Sequence, residues 1–277
     1  MLMISSRERF WDPIQFSRTD EIRDVLLENP SAGVDTPVSE AEYLDAVRGR
    51  KVLLLVHGYN NTEDDVSLAY ARIAAAAKHH FKTRYGVITG YTWPGGSLRI
   101  GYPIARARAN AAGPRLAVWI RKVARVAASL DIMCHSLGAR TALKALGALR
   151  GTPVRNLLLF AAAIDNESIE KGEEFYDATK HAGTVLVVHS RDDKALAVWF
   201  RVGDALLPWQ WFDLFDLPLG YSGPEDPADI INHSPHVKVV NGKGAELGHH
   251  DYKDNPVLFA FLAKFLAGKT PEQFYTL

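Results

Sequence analysis

Six short apolar runs set the limits on how this chain can fold. They are Lys51–Val56, Gly86–Trp93, Leu130–Cys134, Asn156–Ala162, Thr184–His189 and Val237–Val240. Consecutive apolar residues in a strand point to opposite sides, so such runs suit a parallel sheet covered on both faces. Most intervals between the runs carry helical spacing: Val66, Ala69, Ile73, Ala76 and Phe81; Leu116, Ile120 and Val123; Leu143, Leu146 and Leu149. Strands alternating with helices make βαβ units, which predicts an α/β fold on a mostly parallel central sheet. The last helix is the best bounded. Asn255 can cap it, Pro256 sits in its first turn, and Leu258, Leu262, Phe265 and Leu266 form its stripe before Gly268. Ser39 with Glu42 reads as a capping box for a short helix ending near Val47.

A chain of 277 residues, 47% of them hydrophobic, fits one large domain over 1–277. Residues 1–50 are expected to add edge strands or to cover one sheet edge. Residues 194–236 form a long connection that includes Trp199, Phe200, Trp209, Trp211, Phe212 and Phe215. It is expected to be a lid or cap insertion, or else helices that bury those aromatics on the sheet.

Lys plus Arg is 32 and Asp plus Glu is 32, so nothing in the overall charge points to nucleic acid. The densest basic stretch, Arg106, Arg108, Arg115, Arg121, Lys122 and Arg125, reads as a solvated helix face. The lone cysteine, Cys134, excludes an intramolecular disulfide and suits a reducing, cytoplasmic setting. The first residues lack the apolar stretch of a secretory signal, and no run reaches the roughly 18–20 apolar residues of a membrane span. Oligomeric state is not readable from the sequence.

Cys134-His135-Ser136-Leu137-Gly138 follows a predicted strand and precedes a predicted helix, the context of a nucleophile elbow. The sharp turn needs small residues two positions either side of the serine. Gly138 meets that need, and Cys134 stands where a glycine is usual. Ser136 is the expected nucleophile, and the Leu137 amide at the helix start an expected oxyanion donor. His57-Gly58-Tyr59-Asn60-Asn61 follows the first strong strand, where a second donor belongs; the Tyr59 amide is the candidate. On its own this stretch also reads as a plain turn with Thr62 capping the next helix.

HGYNN, TWPGG, CHSLGAR, SRDDKAL and GHHDY occur in one order between Lys51 and Leu266. In these motifs the chain resembles the uncharacterised serine-hydrolase branch of the α/β-hydrolase superfamily, bacterial proteins defined as a domain of unknown function. The resemblance implies an α/β-hydrolase fold with helices on both faces of the sheet. It further implies a Ser-Asp-His triad and esterase-like activity on a small-molecule ester, without a cofactor. It names no substrate, and thioesterase, amidase or acyltransferase chemistry could use the same triad, as could a catalytically dead binding protein keep the fold.

The acid belongs after a strand that follows the elbow, and the resemblance places it at Asp193; Asp192 and Asp165 are alternatives at strand ends. The base belongs after the last strand, in Gly248-His249-His250-Asp251. His249 matches the glycine–histidine pair, with His250 as runner-up, because adjacent side chains of an extended chain point opposite ways. His57, Trp93, His135 and Trp199 are candidates for the substrate pocket. His249, His250 and Asp251 also resemble metal ligands, but no H-E-x-x-H or cysteine pair accompanies them, and no metal is expected.

Overall fold

A computed structural model describes residues 1–27, 35–96, 101–198 and 217–277. Among the described residues of the first fifty lie three strands, β1 (Leu2–Arg7), β2 (Phe16–Asp24) and β3 (Thr36–Pro37), then helix α1 (Glu40–Val47). The six apolar runs follow as β4 (Lys51–Val56), β5 (Val87–Thr92), β6 (Ser129–His135), β7 (Val154–Phe160), β8 (Ala182–His189) and β9 (Val237–Asn241). Between them lie α2 (Glu63–Phe81), α3 (Tyr102–Val126) and α4 (Gly138–Gly147). Helix Pro256–Leu266 precedes a last short strand, β10 (Phe274–Thr276).

Among the described residues, one ten-stranded sheet runs in the order β10-β9-β8-β7-β6-β4-β5-β1-β2-β3. β2 pairs antiparallel with both β1 and β3, and all other neighbours pair parallel. Val52 to Val56 are all buried although they alternate between faces, so both faces of the sheet centre are covered. α3 packs with α1 and with α4, and α2 packs with the terminal helix. Each fully buried Leu or Val contributes about 1.5–3 kcal/mol, so β4, β6, β7 and β8 hold the molecule together far more than its edges do. Parallel pairing brings the carboxyl ends of β1, β5, β4, β6, β7 and β8 to one rim, and that rim carries the site.

The helices begin where the side chains dictate. Ser39 with Glu42, and Thr62 with Asp65, form complete capping boxes for α1 and α2. Asn255 accepts from the amides of Val257 and Leu258 at the start of the terminal helix. α3 continues through Gly113-Pro114. A Cβ on Gly113 would lie 2.5 Å from Lys144 Cβ, so the glycine lets α3 and α4 approach closely.

One expectation needs correction. The basic face of α3 is not simply solvated: Arg106 pairs with Asp165, Arg115 with Asp20 and Lys122 with Glu40. α3 is thereby tied to β2, α1 and the loop after β7. Within the long connection, Leu219 and Gly220 are bonded to the rim. The Leu219 and Gly220 amides donate to the carbonyls of Ile164 and Ala162, and Gly220 O accepts from Ser190 N. The aromatic stretch from Trp199 to Phe215 lies outside the described residues. Among the described residues, no helix is long and apolar enough to cross a membrane.

Candidate active site

The elbow is a strained turn held from three sides. Ser136 has φ of 55°, a left-handed conformation that costs a non-glycine residue on the order of 1–3 kcal/mol. Its amide donates to Phe160 O at 2.9 Å, and its carbonyl accepts from Ala163 N at 3.2 Å, which clamps the turn to the end of β7. On the other side it rests on β4. A Cβ on Gly138 would lie 2.5 Å from His57 O and 2.7 Å from Val56 O, so only glycine fits there. Cys134 is buried, and its thiol lies 3.4 Å from Leu158 O. The first small position of the elbow therefore faces a packed strand with room for a thiol, which burial pushes strongly toward the neutral form.

His249 and Asp193 come together across 56 positions of sequence. Nδ1 of His249 lies 2.8 Å from Asp193 Oδ2, and the carboxyl group is fully buried. The other oxygen, Oδ1, accepts from Leu196 N at 2.9 Å, so one carboxylate both orients the imidazole and caps the turn after β8. Asp192 is exposed, and Asp165 is paired with Arg106. Neither alternative acid touches His249.

A cavity of ≈ 310 Å³ joins these groups; Ser136, His249, His135, Tyr59, Leu196 and Lys253 are among its walls. The His135 ring stacks obliquely on that of His249 at 4.6 Å, and its Nε2 lies 2.7 Å from the His249 carbonyl. The carbonyl can only accept, so His135 donates from Nε2. Burial, then the neighbouring His249, keeps His135 well below the ordinary histidine range and uncharged. His250 also lines the cavity, its ring 5.4 Å from that of His249. The alternation expected of an extended chain does not apply, because these residues form a turn entering a short 3-10 helix. Asp251 closes that turn by accepting from Gly248 N at 2.8 Å.

The loop after β4 passes directly over the serine. A Cβ on Gly58 would lie 2.8 Å from Ser136 Cβ and 3.4 Å from its Oγ, which leaves glycine as the only residue that fits. Asn60 takes a left-handed φ of 55°, which asparagine tolerates, and Asn61 Nδ2 donates to Tyr59 O at 2.6 Å. Among the described residues, the amides of Tyr59 and Leu137 donate to no protein acceptor.

Two residues expected in the pocket are elsewhere. His57 and Trp93 are buried behind the loop, stacked at 5.5 Å, and do not line the cavity. Trp199 lies outside the described residues. What the sequence reading missed is Arg7, fully buried at the end of β1 and in contact with the loop. A charged residue near the start of a chain carries no signal of burial, so only the strand order reveals it.

The match to known families agrees with this architecture. Residues 38–207 match the family described as alpha/beta hydrolase of unknown function (DUF900), and the chain belongs to that family. No curated protein matches. Among solved structures, esterase PE8 shares 15% identity, with 80% of this chain and 94% of that chain covered at a TM-score of 0.48. The structure described as "LipS and LipT, two metagenome-derived lipolytic enzymes" shares 14%, with 82% and 96% covered at 0.42. A Pyrobaculum calidifontis esterase shares 12%, with 81% and 79% covered at 0.42.

Proposed function

We propose that this chain is a serine hydrolase that cleaves carboxylic esters through an acyl-enzyme. The observation that carries the reading is the His249–Asp193 pair, facing the cavity that also holds Ser136 on its strained turn. Asp193 holds Nδ1–H of His249, which leaves Nε2 for the serine. Nε2 takes the Ser136 Oγ proton as Oγ attacks the ester carbonyl. The oxyanion that forms accepts from the unengaged amides of Tyr59 and Leu137, the second at the start of α4, where the helix dipole adds to it. Collapse expels the alkoxide, which takes the proton from Nε2. Water then repeats the sequence on the acyl-enzyme, with His249 as base, and releases the acid.

The strained φ of Ser136 supports the nucleophile role, since a turn that costs energy persists where the surroundings impose it. The cavity is small for a ligand pocket and mixes His250 and Lys253 with Leu196 and Ala163, which suits a modest ester better than a long acyl chain. The test is a panel of p-nitrophenyl esters from acetate to decanoate, with fluorophosphonate labelling of the protein. Wild type should be labelled and should turn over the short esters. Ser136→Ala should keep the wild-type melting temperature and lose both. Near-native turnover by Ser136→Ala, or a wild type that resists the fluorophosphonate, would overturn the proposal.

A further inference from the structure

We infer that Arg7 is a positioning residue for the oxyanion loop, acting through the ring of His57. The inference rests on the esterase reading of the site and adds to it a residue from a distant part of the chain.

In the strand order β4-β5-β1, Arg7 at the end of β1 and His57 just past β4 flank the end of β5. The Arg7 guanidinium is fully buried, and its described hydrogen-bond partners are neutral: Trp11 O at 3.3 Å, Asn61 O at 3.1 Å and His57 Nε2 at 3.0 Å. A buried cation without a bonded carboxylate is expensive, so it calls for a reason. That reason lies in the imidazole. Nε2 of His57 also lies 3.1 Å from the Trp93 amide and 3.0 Å from Thr92 Oγ1. A guanidinium N–H and a backbone N–H can only donate, so Nε2 must be the unprotonated nitrogen. Nδ1 then carries the proton. It lies 2.8 Å from Gly58 O, which can only accept.

One tautomer therefore satisfies every contact, and Arg7 is one of the two obligate donors that select it. The consequence passes along the chain. The Gly58–Tyr59 peptide is trans, so the Tyr59 N–H points opposite to the Gly58 carbonyl. By pinning that carbonyl, His57 fixes the direction of the amide proposed as oxyanion donor. Arg7 holds the far end of the same loop through Asn61 O. Gly95 leaves room for the arrangement, since a Cβ there would lie 3.0 Å from Gly58 O. The charged and titratable groups that face this cluster are Arg7 from β1 and Tyr70 from α2, with Asp12 and Glu63 acting on Arg7 from farther off. Burial first, and the Arg7 charge second, keep His57 uncharged.

The test uses the full chain with Arg7→Met, which keeps length and loses charge and donors, and Arg7→Lys, which keeps the charge with its donors on a single nitrogen. Turnover of p-nitrophenyl acetate is normalised to the serine titrated by fluorophosphonate, so that loss of folded protein is not read as loss of rate. Arg7→Met should lower kcat roughly 10- to 100-fold, part of what losing an oxyanion donor costs, with KM changed by less than about threefold. Arg7→Lys should recover much of the loss. The ¹⁵N signals of the His57 ring, assigned against His57→Asn, should show a protonated Nδ1 in wild type and a tautomer mixture in Arg7→Met. A kcat for Arg7→Met within about twofold of wild type, or a ring spectrum unchanged by the substitution, would overturn the inference. A wild type inert toward every ester would sink the esterase reading instead, and the ring spectrum would still decide whether Arg7 sets the tautomer.

Discussion

The Asp193 carboxylate has two oxygens and two tasks. One oxygen meets His249 Nδ1 and the other the Leu196 amide, and the group is sealed from water. A carboxylate in that position favours Nδ1–H and leaves Nε2 basic. An amide of the same shape can present its N–H₂ to Nδ1 and so turn the proton to Nε2, where it blocks attack by the serine. Asp193→Asn should therefore keep the fold and lower kcat by roughly 10³–10⁴-fold on the proposed reading. Asp192→Asn, an exposed substitution, should change stability by less than about 0.5 kcal/mol and leave kcat nearly as it was. Steady-state kinetics on the two variants decide between the carboxylates. Comparable losses in both, or none in Asp193→Asn, would remove Asp193 from the mechanism.

Among the elements, the terminal helix does more than cover the sheet. Asn255 accepts from two amides of its first turn, and its Nδ2 donates to Ala245 O at 3.1 Å. The residue thus ties the helix to the loop that holds His249. Thr62 caps α2 in a similar way but lies after the oxyanion loop, and its capping contacts stay within its own first turn. Either residue changed to alanine should cost about 1 kcal/mol in a urea melt. Asn255→Ala should also lower kcat severalfold, because the loop end that it anchors is freed. If turnover in Asn255→Ala matches that in Thr62→Ala, the anchoring argument fails.

These same elements mark what a sequence can disclose. The terminal helix was legible because cap, Pro256 and stripe are all local, and β4 to β9 because strands covered on both faces carry apolar runs in place of strict alternation. β1 was not, since Ser5, Ser6 and Arg7 are polar residues that are buried only because β5 and the loop after β4 close over them. β10 is three residues long and gains its hydrogen bonds from β9, beyond the reach of any local pattern. The Ser136 turn was visible in its motif. The pairing of Asp193 with His249 needed the family likeness, because nothing in spacing alone ranks Asp193 above Asp192.

At the scale of the whole molecule, the fold keeps several imidazoles neutral, and that carries a stability consequence. His57 and His135 are held well below the ordinary histidine range, and His189 is lowered to about 4, in each case chiefly by burial. A group whose folded-state pKa is depressed takes up its proton in the unfolded chain first. Below about 6.5 the unfolded state therefore binds protons that the folded state refuses, so stability is full above that pH and is lost as pH falls toward 4. Each such histidine contributes a slope of about 1.4 kcal/mol per pH unit inside the window. Three acting together should make urea-melt stability fall by up to roughly 4 kcal/mol per unit between pH 6 and 5, above the range where most carboxylates titrate. His189 is the cleanest reporter. It stands at the end of β8 with Gly223 pressed against its ring, outside the catalytic cavity, and its Nδ1 has no hydrogen-bond partner among the described residues. His189→Asn should remove about one proton from the slope while leaving titrated turnover near wild type. An undiminished slope in His189→Asn would show that the His189 ring is protonated inside the fold, and a flat wild-type profile from pH 6.5 to 5 that all three rings are. The neutral tautomer on which the oxyanion loop depends would then lose its footing as well.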